Sequence, residues 1–157
     1  MHILHSLLLF LCFSFIHSAH AQNVRVSNFD AFNFGVWVSG GFTADDSTCV
    51  FRDDGNPRYR VTATDNSTLT PNEFRLENIP RTVEIPYEVR WRSTTANGGA
   101  RLTHGVPRNR GRATDVDELC AVGGLTSNLR IRIRRADLQA APAGNYSAEV
   151  RFLIEPR

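Results

Sequence analysis

His104 is the only histidine after residue 20, and Cys49 and Cys120 are the only cysteines after residue 12. Acyl transfer by a Ser, His and acid triad would have to recruit His104 as its base. No G-x-S-x-G elbow accompanies any serine, and His104 sits beside Gly105 in a loop-like stretch, so a surface histidine without a catalytic role is the better reading. The pairs Asp45-Asp46 and Asp53-Asp54 flank a strand and could bind calcium or serve as glycosidase carboxylates. Neither shows the alternating oxygen spacing of a calcium loop, so turn chemistry is the better explanation. No P-loop, dinucleotide fingerprint or zinc motif is present. No enzyme is expected, and no cofactor and no metal.

The compartment decides what the two cysteines do. Residues 1–21, MHILHSLLLFLCFSFIHSAHA, carry an apolar run from Leu7 to Phe13 and end on Ala19-His20-Ala21, an A-x-A pattern that suits signal peptidase. They read as a secretory signal peptide, although the basic n-region is missing and an uncleaved anchor is the rival reading. Residues 22–157 then make one domain. Two cysteines in an exported chain read as a disulfide, Cys49 with Cys120; a two-thiol metal site is the weaker alternative, since no further soft ligands lie nearby.

All eighteen basic residues are arginine, and net charge is +2. Residues 22–80 hold five Arg against eight Asp or Glu, whereas residues 81–112 hold seven Arg against two Glu. Arg58, Arg60, Arg90, Arg92, Arg130, Arg132 and Arg134 fall on outward positions of strand-like runs and could form a basic sheet face for an anionic partner. The competing explanation is that charges on sheet surfaces suppress unwanted edge pairing.

The elements that must position these residues are strands. Apolar residues alternate with period two, and no dozen residues keep a helical stripe, so the fold class is all-β. VEIPYEVRW puts Val83, Ile85, Tyr87, Val89 and Trp91 on one face, with Pro86 marking an edge or a bulge. NLRIRIRR turns Leu129, Ile131 and Ile133 inward; YRVTA does the same with Tyr59, Val61 and Ala63. The run from Tyr146 to Ile154 puts Tyr146, Ala148, Val150, Phe152 and Ile154 on one side. Short turns at SGG, DDGNP, NGG and VGG favour an antiparallel sandwich over βαβ units. Residues 103–118 read as a long mobile loop, and ADLQAA as one helical turn.

In order along the chain, FNFGVW, STCVFRDDGNPRYRVTA, IPYEVRW and LQAAPAGNYSAEVRFLIEP resemble the spore coat protein U domain family, which includes subunits of archaic chaperone/usher pili. The closing A-x-A-G-x-Y signature is Ala141, Ala143, Gly144 and Tyr146. The resemblance implies an immunoglobulin-like sandwich lacking one strand, exported to the periplasm and destined for a fimbrium or the cell surface. It implies a structural role in adhesion or biofilm, with a periplasmic chaperone, an usher and neighbouring pilus subunits as partners, and neither nucleic acid nor, after leader cleavage, a membrane. Donor-strand complementation would fill an acceptor groove lined by Phe32, Phe34, Tyr146, Val150, Phe152 and Ile154. Val24 and Val26 form a cramped candidate donor segment. Family members often carry a cysteine ahead of the Phe-Gly, and this chain has none there. The alternative function is a self-contained secreted module that binds an anionic glycan or polyanion.

Overall fold

The computed structural model describes residues 23–157; the leader expected at residues 1–21 lies outside the described residues. A five-stranded antiparallel sheet forms one layer, in the order β1 (Val24–Ser27), β2 (Phe42–Arg52), β9 (Ser127–Ile133), β6 (Glu88–Arg92) and β7 (Ala100–Arg101). Two three-stranded sheets form the other: β11 (Val150–Pro156), β3 (Tyr59–Asp65) and β8 (Arg108–Arg110), then β10 (Tyr146–Ser147), β4 (Arg75–Asn78) and β5 (Glu84–Pro86). The single helix among the described residues is α1 (Arg135–Ala140), which buries Leu138 and matches the turn expected from ADLQAA. All named strand pairs are antiparallel.

The alternation read from the sequence places the core. Val89, Trp91, Leu129, Ile131 and Ile133 from the first layer meet Tyr59, Val61 and Ala63 from the second, all buried. Trp91 and Tyr59 have no exposed surface, so each polar handle needs a partner. Trp91 Nε1 donates to the Tyr59 hydroxyl at 2.9 Å, and that hydroxyl lies 2.9 Å from Ser127 Oγ. This short chain of hydrogen bonds ties the layers together through the middle of the core.

The VEIPYEVRW run is not one strand. It breaks at Tyr87, after Pro86, and passes from the β4 sheet (β5) to the β9 sheet (β6). Proline cannot donate to a ladder, so the change of layer falls where pairing is already weak. The terminal run likewise divides into β10 and β11 around Ala148-Glu149, where Glu149 N–H donates to Asn66 Oδ1 at 2.9 Å. Its five apolar residues nevertheless all pack against the core, as alternation requires. Gly99 in the β6–β7 turn sits at φ +111°, and a Cβ there would lie 2.5 Å from the Trp91 carbonyl oxygen, so the NGG turn needs glycine at this place.

Residues 103–118 are more tied down than a mobile loop. β8 lies within them, Gly105 N–H donates to Ala63 O at 2.8 Å, and Thr114 pairs in parallel with Phe51 through bonds of 2.7 and 2.8 Å. The segment covers β2 where the disulfide joins Cys49 to Cys120, 71 residues apart and both buried. His104 also departs from expectation. Its side chain is 12% exposed, its Nε2 accepts the Asp65 N–H at 3.0 Å, and its ring packs edge-on to Phe74 at 5.2 Å. It is a structural residue under β3, not a surface one. Beside it the Tyr87 hydroxyl donates to Asp65 Oδ2 at 3.1 Å, and burial, reinforced by that carboxylate, pushes the phenol well above its ordinary value.

Closing a loop of this length constrains the unfolded chain by about 4 kcal/mol in the chain-entropy picture. The Cys49→Ser/Cys120→Ser chain is therefore expected to unfold in urea with stability lower by about that amount, measured with intrinsic Trp fluorescence. An unchanged midpoint would show that the segment around Cys120 is held by other contacts.

Candidate functional site: an apolar groove and an arginine face

A groove of about 1370 Å³ opens along one side of the sandwich. One wall is the irregular segment of residues 29–37; the other is the β10–β11 run; the floor is the core itself, at Leu129, Ile131 and Ile133. Small-molecule pockets run to about 300–1,000 Å³, so this opening suits a length of polypeptide better than a metabolite. Its lining is mostly aliphatic and aromatic, with no metal-ligating cluster among the described residues.

Phe32, Phe34, Tyr146, Val150 and Phe152 line the groove together. Ile154 lies beyond its end, half-buried against the core where β11 pairs with Val61. Phe32 and Phe34 do not belong to a strand. They sit in an unpaired stretch between β1 and β2, where Phe34 stacks on Phe42 at 5.2 Å and on Phe32 at 6.3 Å. Gly35 takes φ +66°, a left-handed turn that suits the glycine of the Phe-Gly pair. Sequence reading missed Phe29, which stacks on Phe152 at 5.3 Å and lies 6.2 Å from Trp91, and Trp37, whose Nε1 donates to Gly40 O at 2.9 Å. The aromatic density of FDAFNFGVW was the available signal. The signature tyrosine closes its own turn: Tyr146 OH donates to Pro142 O at 2.9 Å.

β11 is the edge of its sheet, paired with β3 on one side only. Alternate backbone N–H and C=O groups of an antiparallel edge point away from its neighbour; β11 gives Val150 and Phe152 to the groove wall, and β1 comes close to the strand without pairing with it. Val24 and Val26, the candidate donor pair, lie in β1 opposite Arg52 and Val50 of β2, so in this conformation they extend the domain's own sheet.

The seven outward arginines do not share one face. Arg60 is on β3 and Arg58 precedes it, in the second layer; the other five lie on β6, β9 and the residue after β9. In the first layer Arg90 and Arg130 face each other across β6 and β9, with Arg101 of β7 opposite Arg90. Asp45 is in mid-strand and not in a turn; it accepts Arg130 through Nε at 2.8 Å and Nη2 at 2.7 Å. Glu88, with a side chain only 7% exposed, takes two guanidiniums: Arg134 on Oε1 at 3.1 and 2.7 Å, and Arg90 on Oε2 at 3.2 and 3.0 Å. Those bonds, Arg134 foremost, hold its carboxyl below the ordinary carboxylate value. The other acidic pair is also structural, with Asp53 accepting Asn23 N–H at 3.0 Å and Asp54 pairing with buried Arg52.

No protein-family model matches the chain, and no curated protein does. Solved structures do. A chain from a chaperone–tip adhesin complex of CFA/I fimbriae biogenesis superposes with a TM-score of 0.63 at 14% identity, over 86% of this chain and 42% of that one. CfaE, the adhesive subunit of CFA/I fimbria of enterotoxigenic Escherichia coli, superposes with a TM-score of 0.50 at 14% identity, over 73% of this chain and 35% of that one. This chain thus spans less than half the length of either. At such identity the likeness is one of fold: an antiparallel, immunoglobulin-like sandwich.

The bound state of Glu88 generates a pH dependence. A carboxyl held below 4.5 in the folded state stabilises it fully above that value and progressively less as pH falls through the lowered value. Glu88→Gln is expected to be less stable than wild type at neutral pH and to show a shallower loss of stability below about pH 4.5, read from urea midpoints across pH. Parallel curves for the two chains would remove Glu88 from the acid response.

Proposed function

We propose that this chain is an exported structural subunit of a chaperone/usher-type pilus or surface fibre, and that a β-strand from another polypeptide completes it by lying along β11. The observation that carries this reading is the groove, which combines an apolar floor with an unpaired strand edge. An inserted strand would pair with the β11 backbone and turn alternate side chains onto Ile131, Ile133 and Phe152. Each buried aliphatic or aromatic side chain would contribute about 1.5–3 kcal/mol, so a few positions suffice for firm attachment. A periplasmic chaperone would fill the groove first, and a neighbouring subunit, delivered at an usher, would replace it. The likeness in fold to chains of CFA/I fimbriae supports a pilus-related role, and the buried Cys49–Cys120 bridge suits an oxidising compartment. Val24 and Val26 could donate to a neighbour only by leaving β2, which makes acceptance the better-supported half of the assembly step.

Purified without a partner, the chain is expected to self-associate. A synthetic strand of alternating apolar residues is expected to convert it into a monodisperse one-to-one complex, seen by light scattering, with new amide-exchange protection along β11. Phe152→Asp, which puts a charge into the groove, should abolish capture; Leu153→Asp, on the exposed face of the same strand, should not. A stable monomer that ignores the peptide would overturn the assembly reading.

A further inference from the structure

The outer face of the five-stranded sheet carries a charge excess that its own carboxylates do not neutralise. Arg90, Arg101, Arg130, Arg132 and Arg134 stand on or beside three neighbouring strands, and strict alternation sends them all away from the core. Glu88 is saturated by Arg90 and Arg134, and Asp45 by Arg130. Arg101 and Arg132 are exposed, and among the described residues neither guanidinium is hydrogen-bonded or ion-paired to a carboxylate, although the Arg101 charge reaches Glu88 at longer range. Arg132 is directly across from Glu88, and Arg101 is on the far side of β6. Together with Arg134 they line a cleft of about 140 Å³, whose other charged groups are Glu88, already occupied, and Asp137 of α1.

We propose that this cleft is a binding site for the carboxylate or sulfate groups of an acidic polysaccharide, with Arg101 and Arg132 as the recognising residues. A guanidinium presents a planar fork that matches an oxyanion in two-point fashion, and Arg90 and Arg134, whose donors are engaged by Glu88, have less to offer than these two, whose donors bond no carboxylate. Glu88 acts as a positioning residue: it holds Arg134 at the cleft and Arg90 beside it, each through two guanidinium nitrogens, so that an incoming anion meets an ordered positive rim. The cleft suits spaced anionic sugars better than duplex DNA, whose phosphates follow one another every 1.7 Å or so and call for a longer unpaired basic stripe. The aromatic residue at the cleft, Tyr87, is buried in the core, so the cleft offers a bilayer interface no exposed large apolar side chain. The groove opens to the inner face of the same sheet, so an inserted strand would leave this cleft exposed. The inference therefore stands apart from the assembly reading.

The test uses the disulfide-intact chain with polygalacturonate, dextran sulfate and neutral dextran immobilised separately, and binding followed between about 50 and 200 mM salt. Binding to at least one acidic polymer, weakening with salt, and none to dextran are expected; which acidic polymer binds more tightly identifies carboxylate or sulfate as the preferred group. Arg101→Gln/Arg132→Gln should lose roughly tenfold or more in affinity, while Arg60→Gln/Arg151→Gln, in the opposite layer, should lose far less. Both substituted pairs are exposed, and an unchanged urea midpoint checks that the fold is kept. Equal losses for the two double variants, no binding to either acidic polymer at the lower salt, or equally tight binding to duplex DNA would overturn the proposal.

Discussion

Covering the floor of the groove is the constraint on which the molecule turns. Leu129, Ile131 and Ile133 are buried from most directions, yet they form the base of an opening whose second wall is a strand with an unpaired edge. Backbone groups without partners and apolar surface without cover are each unfavourable, and here they coincide along β11. The segment of residues 29–37 relieves part of this cost with Phe32, Phe34 and Trp37, and with the half-exposed Phe29 stacked on Phe152, but it does so without strand pairing, so it supplies side chains and no ladder.

A sandwich left open on one side must be held firmly elsewhere. The Trp91–Tyr59–Ser127 chain links the layers, and the Cys49–Cys120 bridge pins the long 103–126 connection to β2. Two further carboxylates gather the turn before β4. Glu77 accepts Leu69 N–H at 3.1 Å and the Thr68 hydroxyl at 3.0 Å, and Glu84 accepts Thr70 N–H at 2.8 Å. The donors on Glu77, Thr68 N–H foremost, hold its carboxyl below the ordinary value. These local fastenings keep the second layer in register while its outer edge stays free.

The two faces of the first sheet divide the labour. Inward residues build the core and the floor of the groove, and outward residues build a lattice of arginines and carboxylates whose balance is positive. Because side chains alternate with period two, one strand such as β9 serves both roles at once: Leu129, Ile131 and Ile133 on one side, Arg130 and Arg132 on the other.

The sequence by itself determined the class, the inward set on β3, β6, β9 and β11, the turn glycines and the identity of the two bridged cysteines, because each depends on local periodicity, turn geometry or the small number of thiols available. It brought Phe32 and Phe34 together with Tyr146, Val150 and Phe152 through a resemblance whose order of segments reflects the fold. Only the tertiary structure decided that Phe32 and Phe34 reach the groove from an unpaired segment, that Pro86 marks a change of layer, that His104 is packed under β3, and that Asp45 sits in mid-strand opposite Arg130. Those outcomes depend on which strands become neighbours, and pairing between residues 85 positions apart leaves no mark in a local pattern.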